Sequence, residues 1–316
     1  MMFLDTQKLT FNNTNLLWKV LLYYLMCIVL ICGITVAVCY PLIMNLSNMG
    51  FFSDVYDIIQ QSVFNLRIDQ TLLVVGDIFE EFVNIVGGNL ALYLPYTIGA
   101  IAIIMILGEF LLSLAHIPLS ECLYGYMGSW SRLGFTGCYI KNLKKSVRYS
   151  LARLLLVLPF DLVFLAGIVG VIYLFHIYTK WAIFAPFVLV FVMMIYLSIR
   201  IMAFGGWSCA IIVKGKGIFE GQKTGIRSYN KAFGKILGIS LTSALLIIAL
   251  NILAIMLTAS VGLFITIPFS VLYISTFSMV AYFYTNGLRF YIDKNKIVSP
   301  RKIEDFESMN VLKDII

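Results

Sequence analysis

Long apolar runs separated by short polar stretches set the pattern of this chain. Six runs reach the length at which about 20 apolar residues cross a bilayer as a helix. They extend from Trp18 to Ile43, Leu94 to Ala115, Ser150 to Phe175, Trp181 to Phe204, Ile236 to Ala259 and Gly262 to Phe283. Pro41, Pro159, Pro186 and Pro268 fall inside them, which membrane helices tolerate where neighbours satisfy the freed carbonyls. The first run is too long for a cleavable signal, and no small-residue cleavage site is followed by a soluble domain. The pattern predicts an all-α fold, a polytopic membrane helical bundle of six transmembrane helices forming one integral membrane domain over residues 1–316.

Composition excludes the soluble alternative. Hydrophobic residues make up 61% of the chain and charged ones 12%, and the mean hydropathy is +0.94. The net charge of +7 matters less than where the charges sit. The stretch 48–93 has one basic residue, Arg67, against Asp54, Asp57, Asp69, Asp77, Glu80 and Glu81. The loop 116–149 instead carries Arg132, Lys141, Lys144, Lys145 and Arg148, and 205–235 carries six lysines or arginines. Arg289, Lys294, Lys296, Arg301, Lys302 and Lys313 follow in the tail 284–316. The excess of Lys and Arg on cytoplasmic loops predicts a multi-pass cell-membrane protein with both termini and the tail 284–316 cytoplasmic. The stretch 48–93 is then an extracytoplasmic amphipathic loop, with Ile58, Ile59, Val63 and Leu66 set against its acids at helical spacing. The six cysteines include no CxxC pair and read as small apolar packing residues.

Two basic passages interrupt the apolar chain. Lys223, Arg227, Lys231 and Lys235 recur every four residues, and Lys141, Lys145 and Arg148 form an earlier version. Four-residue spacing puts Lys223, Arg227 and Lys231 on one helical face. Such elbows, leading into the third and fifth spans, suit anionic lipid headgroups, each cation contributing about 1 kcal/mol near an anionic leaflet. A cytoplasmic protein partner is the other reading, and nucleic acid is not expected, because no soluble basic domain accompanies the stripe. An offset of 82 residues carries Lys141 onto Lys223, Lys145 onto Arg227, Ser146 onto Ser228 and Arg153 onto Lys235. The same offset carries the second span onto the fourth and the third onto the fifth. This predicts an internal parallel repeat whose copies share one orientation.

FEGQKTGIRSYNKAFGKIL, followed by two spans and YFYTNGLRFY, resembles a group of bacterial six-helix membrane proteins of unknown function. The group includes the membrane domain found beside some glycerophosphodiester phosphodiesterases. Glu220, Lys223, Ser228 and Tyr229 carry the first part of the resemblance, and Tyr284, Leu288 and Arg289 the second. It spans residues 90–292 and implies a bacterial membrane architecture without an activity, since no polar region exists to hold a phosphodiesterase domain. Glu220 and Ile236 also have the separation of the ATPase-docking loop in permeases of ABC importers. Gly225 falls one residue early there, and Gly238-Ile239 stands where those permeases have Leu-Pro.

Candidate chemistry is sparse. His116 and His176 fall at opposite ends of their spans, so no shared metal site is expected, and GGWSCA at 205–210 lacks the second glycine of a hydrolase elbow. No cofactor motif is present. Ionisable groups inside the spans remain, and intramembrane charges mark function by default. At 1.5 Å per residue, Asp161 lies about 15 Å into the third span beside Pro159, and Glu109 lies about 8 Å from the cytoplasmic end of the second. Arg153 sits just inside the same face. One reading pairs Glu109 with Arg153 and uses Asp161 as a helix contact; the other makes Asp161 a coupling site. Asn251, Tyr196 and Arg200 are secondary candidates for lining an interior. The expected function is a non-enzymatic accessory or scaffold component of a transport or envelope-assembly system. The alternative is a small permease, of the ATPase-partnered type or not, with a site around Asp161.

Overall fold

The structure, a computed structural model, describes residues 2–48, 50, 51, 53, 56, 88, 90–128, 134–177, 184–258, 261–288 and 290. Most of the acidic stretch 48–93, Trp181, Arg289 and the tail beyond 290 lie outside the described residues, as do the expectations attached to them. Among the described residues every regular element is a helix. Six helices are long and apolar enough to cross a membrane, and the protein is an all-α polytopic membrane bundle.

In chain order the helices are α1 (Met2–Asn12), α2 (Thr14–Val38), α3 (Tyr40–Asn48), α4 (Leu90–Ser113), α5 (His116–Gly128) and α6 (Phe135–Ile177). After these come α7 (Ala185–Arg200), a π-helical turn (Ile201–Gly205), α8 (Gly206–Val213), α9 (Ile218–Asn230), α10 (Phe233–Thr258) and α11 (Leu263–Thr285). Pro95, Pro159 and Pro268 sit inside unbroken helices. Pro41 does not: the expected first span stops at Val38 and restarts as α3, because a proline ring clashes with the carbonyl one turn back and lacks an N–H. Leu42 and Leu46 of α3 then pack with Tyr93 at the start of α4.

The spans follow one another around the bundle. α2 packs on α4, α4 on α6, α6 on α7, α7 on α10 and α10 on α11, which closes back on α2. The two ends of the bundle differ in packing. At the end bearing the basic segments, α5, α8, α9 and the last turns of α11 fill the interior. There the aromatic side chains of Tyr24, Tyr149, Trp207, Tyr229, Phe277 and Tyr282 are all but completely buried. Toward the far end the spans turn apolar side chains outward, including Val163 and Val169 of α6, Phe187 and Phe191 of α7, and Leu253 and Leu257 of α10. Without lipid that surface would be an aggregation site; hydrocarbon is its natural solvent.

The basic passages were expected to form two elbows, and the first does not. Lys141, Lys145 and Arg148 belong to the 43-residue helix α6, which runs straight into the third span. At 1.5 Å per residue that helix is about 64 Å long against a bilayer of about 40–45 Å including headgroups, so its first turns project beyond the membrane. Lys141 there pairs with Glu121 of α5 at 2.6 Å, a tertiary tie in addition to any lipid contact. The second passage is an elbow. α9 ends at Asn230, and turn bonds from Lys231 N to Ser228 O and from Ala232 N to Tyr229 O precede α10. Lys223, Arg227, Lys231 and Lys235 are exposed, while Gly221, Gly225, Ser228 and Tyr229 are buried. A Cβ on Gly225 would lie 2.6 Å from the carbonyl carbon of Gly206, and one on Gly221 2.5 Å from Ile211. Gly225 therefore lets α9 meet the backbone of α8, and Gly221 one turn earlier makes room for the Ile211 side chain, as small residues do at membrane helix crossings.

A candidate intramembrane ligand site

Four charged side chains from three consecutive spans meet above the packed end. Arg153 of α6 donates through Nε to Glu109 Oε1 of α4 at 2.7 Å, and Arg200 of α7 donates to Glu109 Oε2 at 2.5 Å. Arg200 also lies 3.5 Å from Asp161 Oδ2. Tyr196, one turn before Arg200, donates its hydroxyl to Asp161 Oδ1 at 2.6 Å and accepts from Arg200 at 2.9 Å. The Tyr196 ring stacks on Phe164, with centroids 3.7 Å apart, and on Phe160. Arg153 donates further to the Tyr149 hydroxyl at 3.1 Å, and Tyr149 packs edge-on against Trp207. Helical periodicity accounts for these pairs: 149 and 153, 160 and 164, and 196 and 200 each lie one turn apart on one face. Buried charges persist where paired and hydrogen-bonded, and two guanidiniums and two carboxylates satisfy that here.

A cavity of about 220 Å³ opens beside this network. Five of the six spans line it, α2 through Tyr24, α4 through Glu109, α6 through Arg153, α7 through Leu197 and Arg200, and α11 through Val271 to Ser278 on one face, while α5 adds His116, the π-helical turn Phe204 and α8 Ser208. Ser208 bonds to Ser120 at 2.8 Å. The π-helical turn forms part of this wall; such turns are frequent at functional sites. Its last residue, Gly205, has no room for a side chain, since a Cβ would lie 2.7 Å from Ser278 Oγ.

The sequence-derived candidates separate into three groups. Glu109, Arg153 and Asp161 come together, the first two on the cavity wall and Asp161 behind Arg200. Asn251 stands apart as a tie between α10 and α11: it accepts from Thr266 at 2.7 Å and donates to Ser270 at 3.3 Å. Lys145 is half-buried and Arg148, Lys223, Arg227, Lys231 and Lys235 are exposed, and none of them lines the cavity. Arg200 and Tyr196, ranked second in the sequence, are the hub, because Arg200 alone joins both carboxylates. His116, read in the sequence only as too far from His176 to share a metal, is on the wall. A signal was available for Arg200: it is the one cation near the inner end of an otherwise uncharged span.

Two structural parts of the resemblance motif also have clear roles. Tyr229 donates to Ser278 O at 2.8 Å, locking α9 to α11, and Tyr284 donates to Asp5 at 2.6 Å, locking α11 to α1. No family model matches the chain, and no curated protein or solved structure does either.

Proposed function

We propose that this membrane protein is a permease-type transport component, with its solute site in the cavity beside Glu109, Arg153 and Arg200. The observation that carries the reading is the cavity itself: a bundle with no solute to handle would fill that space with apolar side chains, not border it with three ionisable groups and a histidine. On this reading the basic end and both termini face the cytoplasm of a bacterial cell, and the packed α5, α8 and α9 close the cavity on that side. The exposed cations of α9 then face anionic headgroups or a cytoplasmic partner such as an ATPase. Solute passes without chemical conversion.

Cysteine accessibility tests both statements. In a cysteine-free background, a cysteine at Asp57 should label from outside intact cells and one at Lys223 should not; external labelling at Lys223 reverses the orientation. A cysteine at Ile274, on the cavity wall, should react with a small water-soluble thiol reagent. A residue 274 inert from both sides removes the permease reading and leaves a second one, a scaffold or accessory component of a transport or envelope-assembly system. One observation favours that second reading: each of the four charges is paired within the protein, so the network also serves as a knot joining three spans.

A further inference from the structure

Two guanidiniums and one carboxylate border the cavity. Arg153 and Arg200 face it, while Glu109 is the one carboxylate that does; Asp161 is not part of the wall. Asp161 lies 3.5 Å from Arg200 behind the wall, so the network as a whole is neutral, and what the cavity meets is two guanidiniums rather than a net charge. Donors are also left over. Arg153 uses Nε and Nη1, and Arg200 uses its two terminal nitrogens, so the second terminal nitrogen of Arg153 and Nε of Arg200 bond to no described protein group. The buried Ser275 hydroxyl has no hydrogen-bond partner. The remaining wall is largely apolar, with Leu197, Ile201, Val271 and Ile274 prominent. A cavity of about 150 Å³ holds a benzene-sized guest, and this one is larger, at about 220 Å³.

We infer that the cavity binds an organic monoanion: one carboxylate, held by the two arginines, on a compact apolar body. The inference rests on the reading of the cavity as a ligand site. One carboxylate accepts from the unused donors of both guanidiniums, whereas the second charge of a dianion would be buried unpartnered. A cation meets like charge. A neutral apolar guest leaves the arginine donors unmet, and an inorganic anion leaves the apolar wall uncovered.

Four probes separate these cases: benzoate, benzamide and benzylammonium, which share one shape and differ in charge, and sulfate, an anion with no apolar body. The protein is held in phosphatidylcholine nanodiscs, where no anionic lipid competes, and binding is read by calorimetry and by the shift in melting temperature. Benzoate should bind at least about tenfold more tightly than the other three, about 1.4 kcal/mol. Ser275→Ala should weaken benzoate by about threefold to tenfold, the loss of one neutral hydrogen bond. Glu109→Gln, where it folds, should tighten benzoate by removing its competitor for the arginines. Equal or tighter binding of benzamide or benzylammonium overturns the monoanion and leaves the ligand site standing. No response to any of the four probes overturns both.

Discussion

Lys141–Leu155 and Lys223–Leu237 match at Lys141/Lys223, Lys145/Arg227, Ser146/Ser228 and Arg153/Lys235, yet one is the middle of a 43-residue helix and the other a bent junction between two helices. The offset of 82 residues shows where they part. Opposite Gly221 and Gly225 the first copy has Tyr139 and Leu143. Gly225 brings α9 into backbone contact with Gly206 of α8, and Gly221 receives the Ile211 side chain. Tyr139 instead packs against Tyr23 and Phe135, and Leu143 is exposed. Charge diverges too. Arg153 is buried on Glu109, whereas its counterpart Lys235 is exposed, with its ammonium 5.8 Å from the Tyr284 ring. Asp161 bonds to Tyr196 and Arg200, whereas its counterpart Ser243 lies 3.5 Å from the Tyr273 hydroxyl. Matched basic residues thus do not fix the local path of the chain; small and charged residues decide which passage docks and which one builds a polar site.

Arg153→Ala should break this asymmetry most severely. It strands Glu109 with one partner and removes the Tyr149 bond, a loss of about 3–5 kcal/mol for a partly buried pair, measured as thermal unfolding in detergent. Glu109→Ala combined with Arg153→Ala should be milder than the sum of the singles, and an additive result would show that the two do not interact. Gly225→Ala comes next, at about 1–3 kcal/mol, since backbone rather than a flexible side chain opposes the new methyl; Leu143→Ala in the first copy should be nearly silent. A silent Gly225→Ala would mean that the α8–α9 contact does not hold the elbow.

Asp161→Asn should cost less than about 1.5 kcal/mol, because the amide oxygen still accepts from Tyr196 and Arg200 keeps Glu109. Solute handling, on the permease reading, should fall far more than stability does. A melting temperature that collapses in this variant would make Asp161 a structural contact and favour the scaffold. Lys235→Ala should be the mildest change, with unfolding indistinguishable from wild type and a difference seen only in binding to vesicles rich in anionic lipid. Destabilisation comparable to that of Arg153→Ala would erase the contrast between the copies.

Hydropathy and spacing were enough for the class and the span count, because a bilayer demands about 20 apolar residues per crossing whatever surrounds them. The Glu109–Arg153 pair was readable for a related reason: opposite charges at one depth on antiparallel neighbours have little else to meet. Neither α1 nor the bend at Cys39 was read. The buried face of α1 holds Asp5, Thr6 and Thr10, and Asn13 follows its end; all look solvated in one dimension, yet Thr6, Thr10 and Asn13 each turn a side-chain donor to a carbonyl one turn back, and Asp5 accepts from Tyr284. Tertiary structure alone made Arg200 the hub, put His116 and Ser275 on one cavity, and bent one copy of the repeat while leaving the other straight. Those outcomes depend on which helices become neighbours, and that is settled by backbone approach at glycines and by three-dimensional pairing of charges. The apolar spans themselves were determined by sequence alone, because the lipid that solvates them acts on each residue independently of its partners.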